Sequence, residues 1–255
     1  MIRWLKDRFG RKTLPKHTTE PGNRIQRLEK SLGFAIPSGH IHHFERALRH
    51  RSIVDNNKYE AHETYERLEF LGDAILDLIV TEILFDKYPK QNEGFLTKLR
   101  SKIVKGDTLY LLARKLELND VLEVGNRATG QGIEFSKSVL ADVYEAIIAA
   151  LYLSKGYEET FRFVEKNLEE FLDLKSIETK IDNYKSVLME YSQSEKMPLP
   201  VYKVISEDGP GHNKTFSVAV YLEGDLKGEG TGKSKKQAEQ LAAKNALQSM
   251  GLNNP

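Results

Sequence analysis

The sequence predicts a multidomain chain: an all-α domain, then a small α+β module of order α-β-β-β-α. Three observations predict it. Between about residues 24 and 174, apolar residues recur at spacings of three and four, the period of helices buried along one side. Across residues 214–222 the period becomes two, with Phe216, Val218, Val220 and Leu222 on one strand face. The chain has 255 residues, long for one average domain and sufficient to bury two cores without covalent staples.

The elements follow in order. Residues 1–23 form a basic stretch (Arg3, Lys6, Arg8, Arg11, Lys12 and Lys16, with Arg24 just beyond) that includes Asp7 and Glu20 and has no apolar secretory core. It reads as a flexible arm rather than a targeting signal. The helical domain, residues 24–175, has periodic segments at 67–88, 96–116, 139–154 and 157–174. Pro89, Gly94, Gly106 and the 125–132 loop (GNRATGQG) interrupt it. Its extent is roughly 150 residues, near the common domain size. A polar linker is expected at 176–181, and the second domain at 182–252. There a helix at 183–193, with Asp182 as N-cap, is broken by Pro198 and Pro200. Strands at 201–206, 214–222 and 225–230 follow, Glu223-Gly224-Asp225 supplying the second turn, and Ser234 opens a last helix running to about Met250.

Composition excludes several classes of function. The chain has no cysteine, which removes disulfide frameworks, thiolate zinc sites and thiol nucleophiles, and suits a reducing cytoplasm. No apolar run is long enough to span a bilayer, so no membrane partner is expected. Lys plus Arg number 38 against 37 Asp plus Glu, which argues against a simple polycationic binder. The charges are segregated, however, with Glu63, Glu66, Glu69, Asp73 and Asp77 close together.

On a helix, Glu69 and Asp73 project from one face at adjacent turns. Alone, that pair reads as a solvated acidic stripe. A second pair changes the reading: Asp142 and Glu145 share a face in a segment otherwise so apolar that it must be largely buried. Carboxylates are seldom buried unless paired or bound to a metal. Ala141, Ala146, Ala149 and Ala150 would let another helix approach closely. If that helix carries Glu69 and Asp73, four carboxylates converge and need hard cations. Oxygen-only ligation selects Mg²⁺, with Mn²⁺ as substitute, over zinc. Two such ions about 4 Å apart activate a water and stabilise the leaving oxygen of a phosphodiester. The chemistry therefore reads as phosphodiester hydrolysis. His40, His42, His43 and His50 crowd one region, but their spacings match no metal motif, and they read as helix-start and surface residues.

In the second module, Ser234 and Gln237 form a capping box that puts Lys235 and Lys236 in the first helical turn. Cations there oppose the helix dipole, and a docked phosphate reverses the sign. An exposed lysine cluster is the plainer alternative. With Lys233, with Gly209, Pro210 and His212 on a loop, and with Glu190 and Gln193 on the first helix, three surfaces are available to one A-form duplex, read by shape.

These residues carry a family resemblance. Residues 66–77 (ERLEFLGDAILD) resemble the signature of ribonuclease III, and residues 47–52 (ALRHRS) the stretch before it. Residues 93–97 (EGFLT), followed by Lys98, Leu99 and Arg100, are similar to the third motif, and residues 139–146 (VLADVYEA) to the fourth. Residues 198–202, 209–212 and 232–239 resemble a double-stranded RNA-binding domain. The likeness covers roughly residues 25–251, and the set in this order is highly specific. It implies an endonuclease domain cutting double-stranded RNA to 5′-phosphate and 3′-hydroxyl ends with short 3′ overhangs, and a role in maturing ribosomal RNA precursors and structured messages. It implies Glu69, Asp73, Asp142 and Glu145 as metal ligands, Asp73 and Glu145 as catalytic, and Glu66 and Glu93 as accessory acids of the cleft. It implies a homodimer and no nucleotide cofactor. Phe70 falls where the family packs against its partner subunit, though a core aromatic is equally open. Tyr65 stands where an amide is common, the 125–138 loop is longer and more polar than in compact members, and the basic arm is extra. A catalytically inactive RNA-binding protein is the alternative, and such a protein has no use for four carboxylates.

Overall fold

Two helices organise the first half of the chain because both place large apolar residues every three or four positions. In the computed structural model, which describes residues 21–56, 59–179, 183–210 and 213–252, these are α3 (Glu66–Lys87) and α6 (Lys137–Phe171). Leu68, Ile75, Leu76, Ile79, Val80 and Ile83 of α3 share one buried core with Leu140, Tyr144, Ile147, Ile148 and Leu151 of α6. α1 (Pro21–Leu32), α2 (Ile41–Ala47), α4 (Glu93–Ile103) and α5 (Gly106–Lys115) surround this pair. The predicted segment 96–116 is thus two helices, divided where Gly106 stands. The segments 139–154 and 157–174 are likewise distinct: within α6 the helix breaks at Gly156, whose φ of 79° and ψ of −176° are non-helical, so two helices meet there. Beyond the break, the Thr160 hydroxyl donates to the Gly156 carbonyl at 2.8 Å.

The described residues divide into two compact units, with the boundary between Ile177 and Glu178. Residues 1–20 of the basic arm lie outside the described residues, and α1 begins within the stretch read as arm. α7 (Leu174–Thr179) occupies most of the stretch read as linker.

The second unit comprises α8 (Tyr184–Ser194), β1 (Val201–Asp208), β2 (Thr215–Leu222), β3 (Asp225–Gly232) and α9 (Lys235–Ser249). The sheet is antiparallel in the order β1-β2-β3, with a bulge between Val204 and Ser206. Glu223 and Gly224, both at positive φ (53° and 89°), make the tight β2–β3 turn that such a hairpin favours. Leu188 of α8, Val220 and Leu222 of β2, and Ala242, Ala243, Ala246 and Leu247 of α9 form its core. Helix α9 lies directly on β3, because Gly228 and Gly230 have no Cβ to hold it off; at Gly228 one would meet Ala242 and Ala246 backbone atoms at 2.5 Å. The N-cap of α8 is Asn183, whose Oδ1 accepts the Ser186 amide at 3.1 Å; this replaces the expected Asp182, which lies outside the described residues. Asn183 is one residue nearer and offers the same acceptor oxygen.

Candidate metal centre and nucleic-acid interface

At Gly72 the backbones of α3 and α6 come close together. A Cβ there would fall inside the carbonyl group of Glu145. Bare backbone against backbone at this point sets Glu69, one turn before Gly72, beside Asp142 and Glu145. Carboxylate oxygens of Glu69, Asp142 and Glu145 all lie within 4.8 Å of one another. Asp73, which follows Gly72, is exposed and is not among the three carboxylates that meet at this distance, so three of the four expected acids converge. Its charge is the largest electrostatic influence on Glu145 after burial. Ala141, Ala146, Ala149 and Ala150 are buried, as small residues at a close helix contact should be. Gly72 itself escapes a reading by charge, although its place inside the acidic signature is the signal that finds it.

The electrostatics are those of a crowded acidic site that Arg51 compensates only in part, through Asp142. Burial, then the charges of Asp73, Asp142, Glu69 and Asp77, push the Glu145 carboxyl up to about 8. Glu69 is raised by burial and by Asp142, Glu66 and Asp73. Burial raises Asp142 too, against an opposing hydrogen bond from Tyr65. Like charges this close resist joint ionisation. The donor set is oxygen only, half-buried and clustered, which fits a hard divalent cation held by Glu69, Asp142, Glu145 and the neighbouring Asp73.

The accessory acids are arranged differently. Glu66 is exposed and faces the Arg51 guanidinium at 3.9 Å. Glu93 opens α4, accepts from the Thr97 hydroxyl at 2.8 Å, and lines a cavity of about 530 Å³ with Thr81, Phe85 and Arg100. Phe70 is 83% exposed, with Leu78 and Phe85 also exposed on the same side of α3, so it is not a core aromatic. The histidines separate. His40, His42 and His43 cluster around the start of α2, whereas His50 is buried, its Nδ1 within 2.9 Å of the Ser52 Oγ. The surface reading of His50 is therefore corrected: its ring packs beside Tyr65, and the Ser52 hydroxyl behind it accepts the Gly125 amide at 2.9 Å.

In the second unit, Ser234 caps α9, its Oγ accepting the Gln237 amide at 3.2 Å. The return bond of the expected capping box goes one residue further back: the Gln237 Oε1 accepts the Lys233 amide at 3.0 Å. Lys235 and Lys236 do occupy the first turn, both exposed. Lys235 pairs with Glu207 of β1 at 2.8 Å, and Lys233 donates to Asn213 at 2.8 Å. The hydrogen bonds from Lys235 and Lys214 hold the Glu207 carboxyl below the usual range. No local pattern in the sequence announces this partner of Lys235, because Glu207 reaches it through the sheet. Glu190 and Gln193 are exposed on α8, Glu190 accepting from Ser186 at 2.9 Å. Gly209, at φ 96°, and Pro210 lead out of β1, and His212 lies outside the described residues.

Comparison with known proteins bears on both units. Residues 42–171 match the family model described as Ribonuclease-III-like, and residues 184–250 match the double-stranded RNA binding motif. Ribonuclease 3 of Chlorobaculum tepidum is 44% identical over 206 residues, 80% of this chain and 76% of that protein. Ribonuclease 3 of Chlorobium chlorochromatii is 42% identical over 211 residues, 82% of this chain and 85% of that protein. Among solved structures, the nuclease domain of ribonuclease III from Campylobacter jejuni matches with a TM-score of 0.52 at 35% identity, covering 58% of this chain and 98% of that domain.

Proposed function

The chain belongs to the ribonuclease III family, and on that premise we propose that it hydrolyses double-stranded RNA with Mg²⁺ held by Glu69, Asp73, Asp142 and Glu145. One observation carries the metal reading: acidic oxygens from two helices meet within 4.8 Å. Bound there, Mg²⁺ supplies Lewis acidity toward the phosphate and lowers the pKa of the attacking water. The chain does the rest. The close seat at Gly72 fixes the spacing of the two carboxylate-bearing helices, so the donors are arranged before the ion arrives. Glu145, protonated in part near neutral pH without a cation, gives up that proton when the ion binds. Asp73 and Glu145 are assigned the catalytic role, with Glu66 and Glu93 as accessory acids.

The second unit carries the duplex. Glu190 and Gln193 on α8, the loop with Gly209, Pro210 and His212, and Lys233, Lys235 and Lys236 at α9 are assigned to it. They suit recognition of A-form shape through minor-groove hydroxyls and phosphates. Exposed Phe70, Leu78 and Phe85 support a homodimer through α3, each copy cutting one strand to leave 5′-phosphate and 3′-hydroxyl ends with short 3′ overhangs. The Campylobacter jejuni nuclease domain has a region described as involved in dimer formation. Among the described residues no helix is long and apolar enough to cross a membrane. Cysteine-free composition suits the reducing cytoplasm, where ribosomal RNA precursors and structured messages are the substrates proposed.

The test is a long RNA duplex incubated with the protein in Mg²⁺ and in EDTA, beside Glu145→Gln. Cleavage to short duplexes is expected in Mg²⁺ alone, and at least a hundredfold less in the variant, with duplex affinity retained. Binding without cleavage in either condition overturns the enzyme reading and leaves an RNA-binding protein.

A further inference from the structure

Tyr65 touches both halves of the acidic site. Its backbone carbonyl starts α3, accepting the amides of Leu68 at 2.8 Å and Glu69 at 2.9 Å. Its own amide is tied to the Arg49 carbonyl at 3.0 Å, and its ring is buried beside His50. From that fixed base the phenol reaches across to α6 and donates to Oδ2 of Asp142 at 3.5 Å. One side chain therefore spans from the helix of Glu69 to the carboxylate opposite, across 77 positions of sequence.

We propose that Tyr65 is a positioning residue for the metal centre, holding one oxygen of Asp142 so that the other faces the ion. The inference rests on the metal-binding reading of the carboxylates given above. A carboxylate on a flexible stem samples several orientations, and a donor on its far oxygen selects one. Groups that orient a ligand from behind in this way commonly change metal affinity by tenfold or more when removed. At 3.5 Å the contact is at the long end for a hydrogen bond to a carboxylate. The ring's burial makes Tyr65→Phe the informative change, since it removes the hydroxyl and keeps the packing.

The experiment measures Mn²⁺ binding to the full chain by calorimetry, with the melting temperature of each variant recorded. The parent, Tyr65→Phe, Asp142→Asn, the double variant and Glu145→Gln are compared. Tyr65→Phe is expected to weaken Mn²⁺ binding by about tenfold or more, the scale of one hydrogen bond to a charged group. It should add little in the Asp142→Asn background, because the partner is already altered. Equal affinity in the parent and Tyr65→Phe overturns the inference, as does an equal loss in both backgrounds, whether or not the melting temperature falls. If the parent binds Mn²⁺ no better than Glu145→Gln, the metal-centre reading itself fails, and the Tyr65 inference with it.

Discussion

Glu145 shows how far one side chain departs from its ordinary chemistry because of where its helix is placed. Its carboxyl is pushed from 4.5 to about 8. In the metal-free protein the folded state therefore keeps a proton that the unfolded chain releases above about 4.5. The stabilisation from this group is complete below that value and is lost as pH rises through about 8. Thermal melts in EDTA should show the melting temperature falling between pH 5 and pH 9, and Mg²⁺ should flatten the slope. Glu145→Gln should show less of the fall; an unchanged profile in that variant would assign it to other groups. The acidity of the site was legible in sequence, because Asp142 and Glu145 interrupt an apolar run. The convergence of Glu69 with them was legible only as a condition on which helices meet. The contact of Tyr65 with Asp142 is tertiary, and no spacing encodes it.

Elements meet where side chains permit, and α3 meets α6 at Gly72. Two magnitudes compete in Gly72→Ala. Alanine favours a helix interior over glycine by roughly 1 kcal/mol. Overpacking a close contact costs typically about 1–3 kcal/mol, and here the methyl would fall inside a backbone carbonyl. The steric term wins. The variant is expected to melt lower than the parent and to lose at least tenfold in cleavage rate at equal Mg²⁺, while still binding duplex RNA. A rate like the parent's would mean that the spacing of α3 and α6 does not govern the site. Periodicity located most helices, since each buries one face. It also placed the break of α6 at Gly156, between two separate segments, but it missed the helix α7 in the polar stretch before α8, whose short length gives little periodic signal.

At the scale of the molecule, two cores stand in two compact units, and each has its own set of buried residues. Separate cores imply separate folding. Residues 178–255 expressed alone should melt cooperatively and bind duplex RNA in a mobility-shift assay, without cutting it in Mg²⁺. An unfolded fragment would mean that the small core of Leu188, Val220, Leu222, Ala242, Ala243, Ala246 and Leu247 cannot sustain the unit. The change of apolar period from helix-like to strand-like marked the two architectures in sequence. The place where one ends was less legible, because α7 continues helical structure into the polar stretch that follows.

The glycines of β3 also bear on the order in which that second unit assembles. Asp225–Gly232 contains Gly228, Gly230 and Gly232, residues that lose the most chain freedom when ordered and offer a strand nothing to pack. Such a segment gains little from pairing with β2 alone. Its reward comes when α9 settles onto the bare backbone, a partner supplied only later in the chain. The hairpin is thus expected to be a weak nucleus despite its favourable turn, so substitutions in β3 and in α9 should give similarly low φ-values.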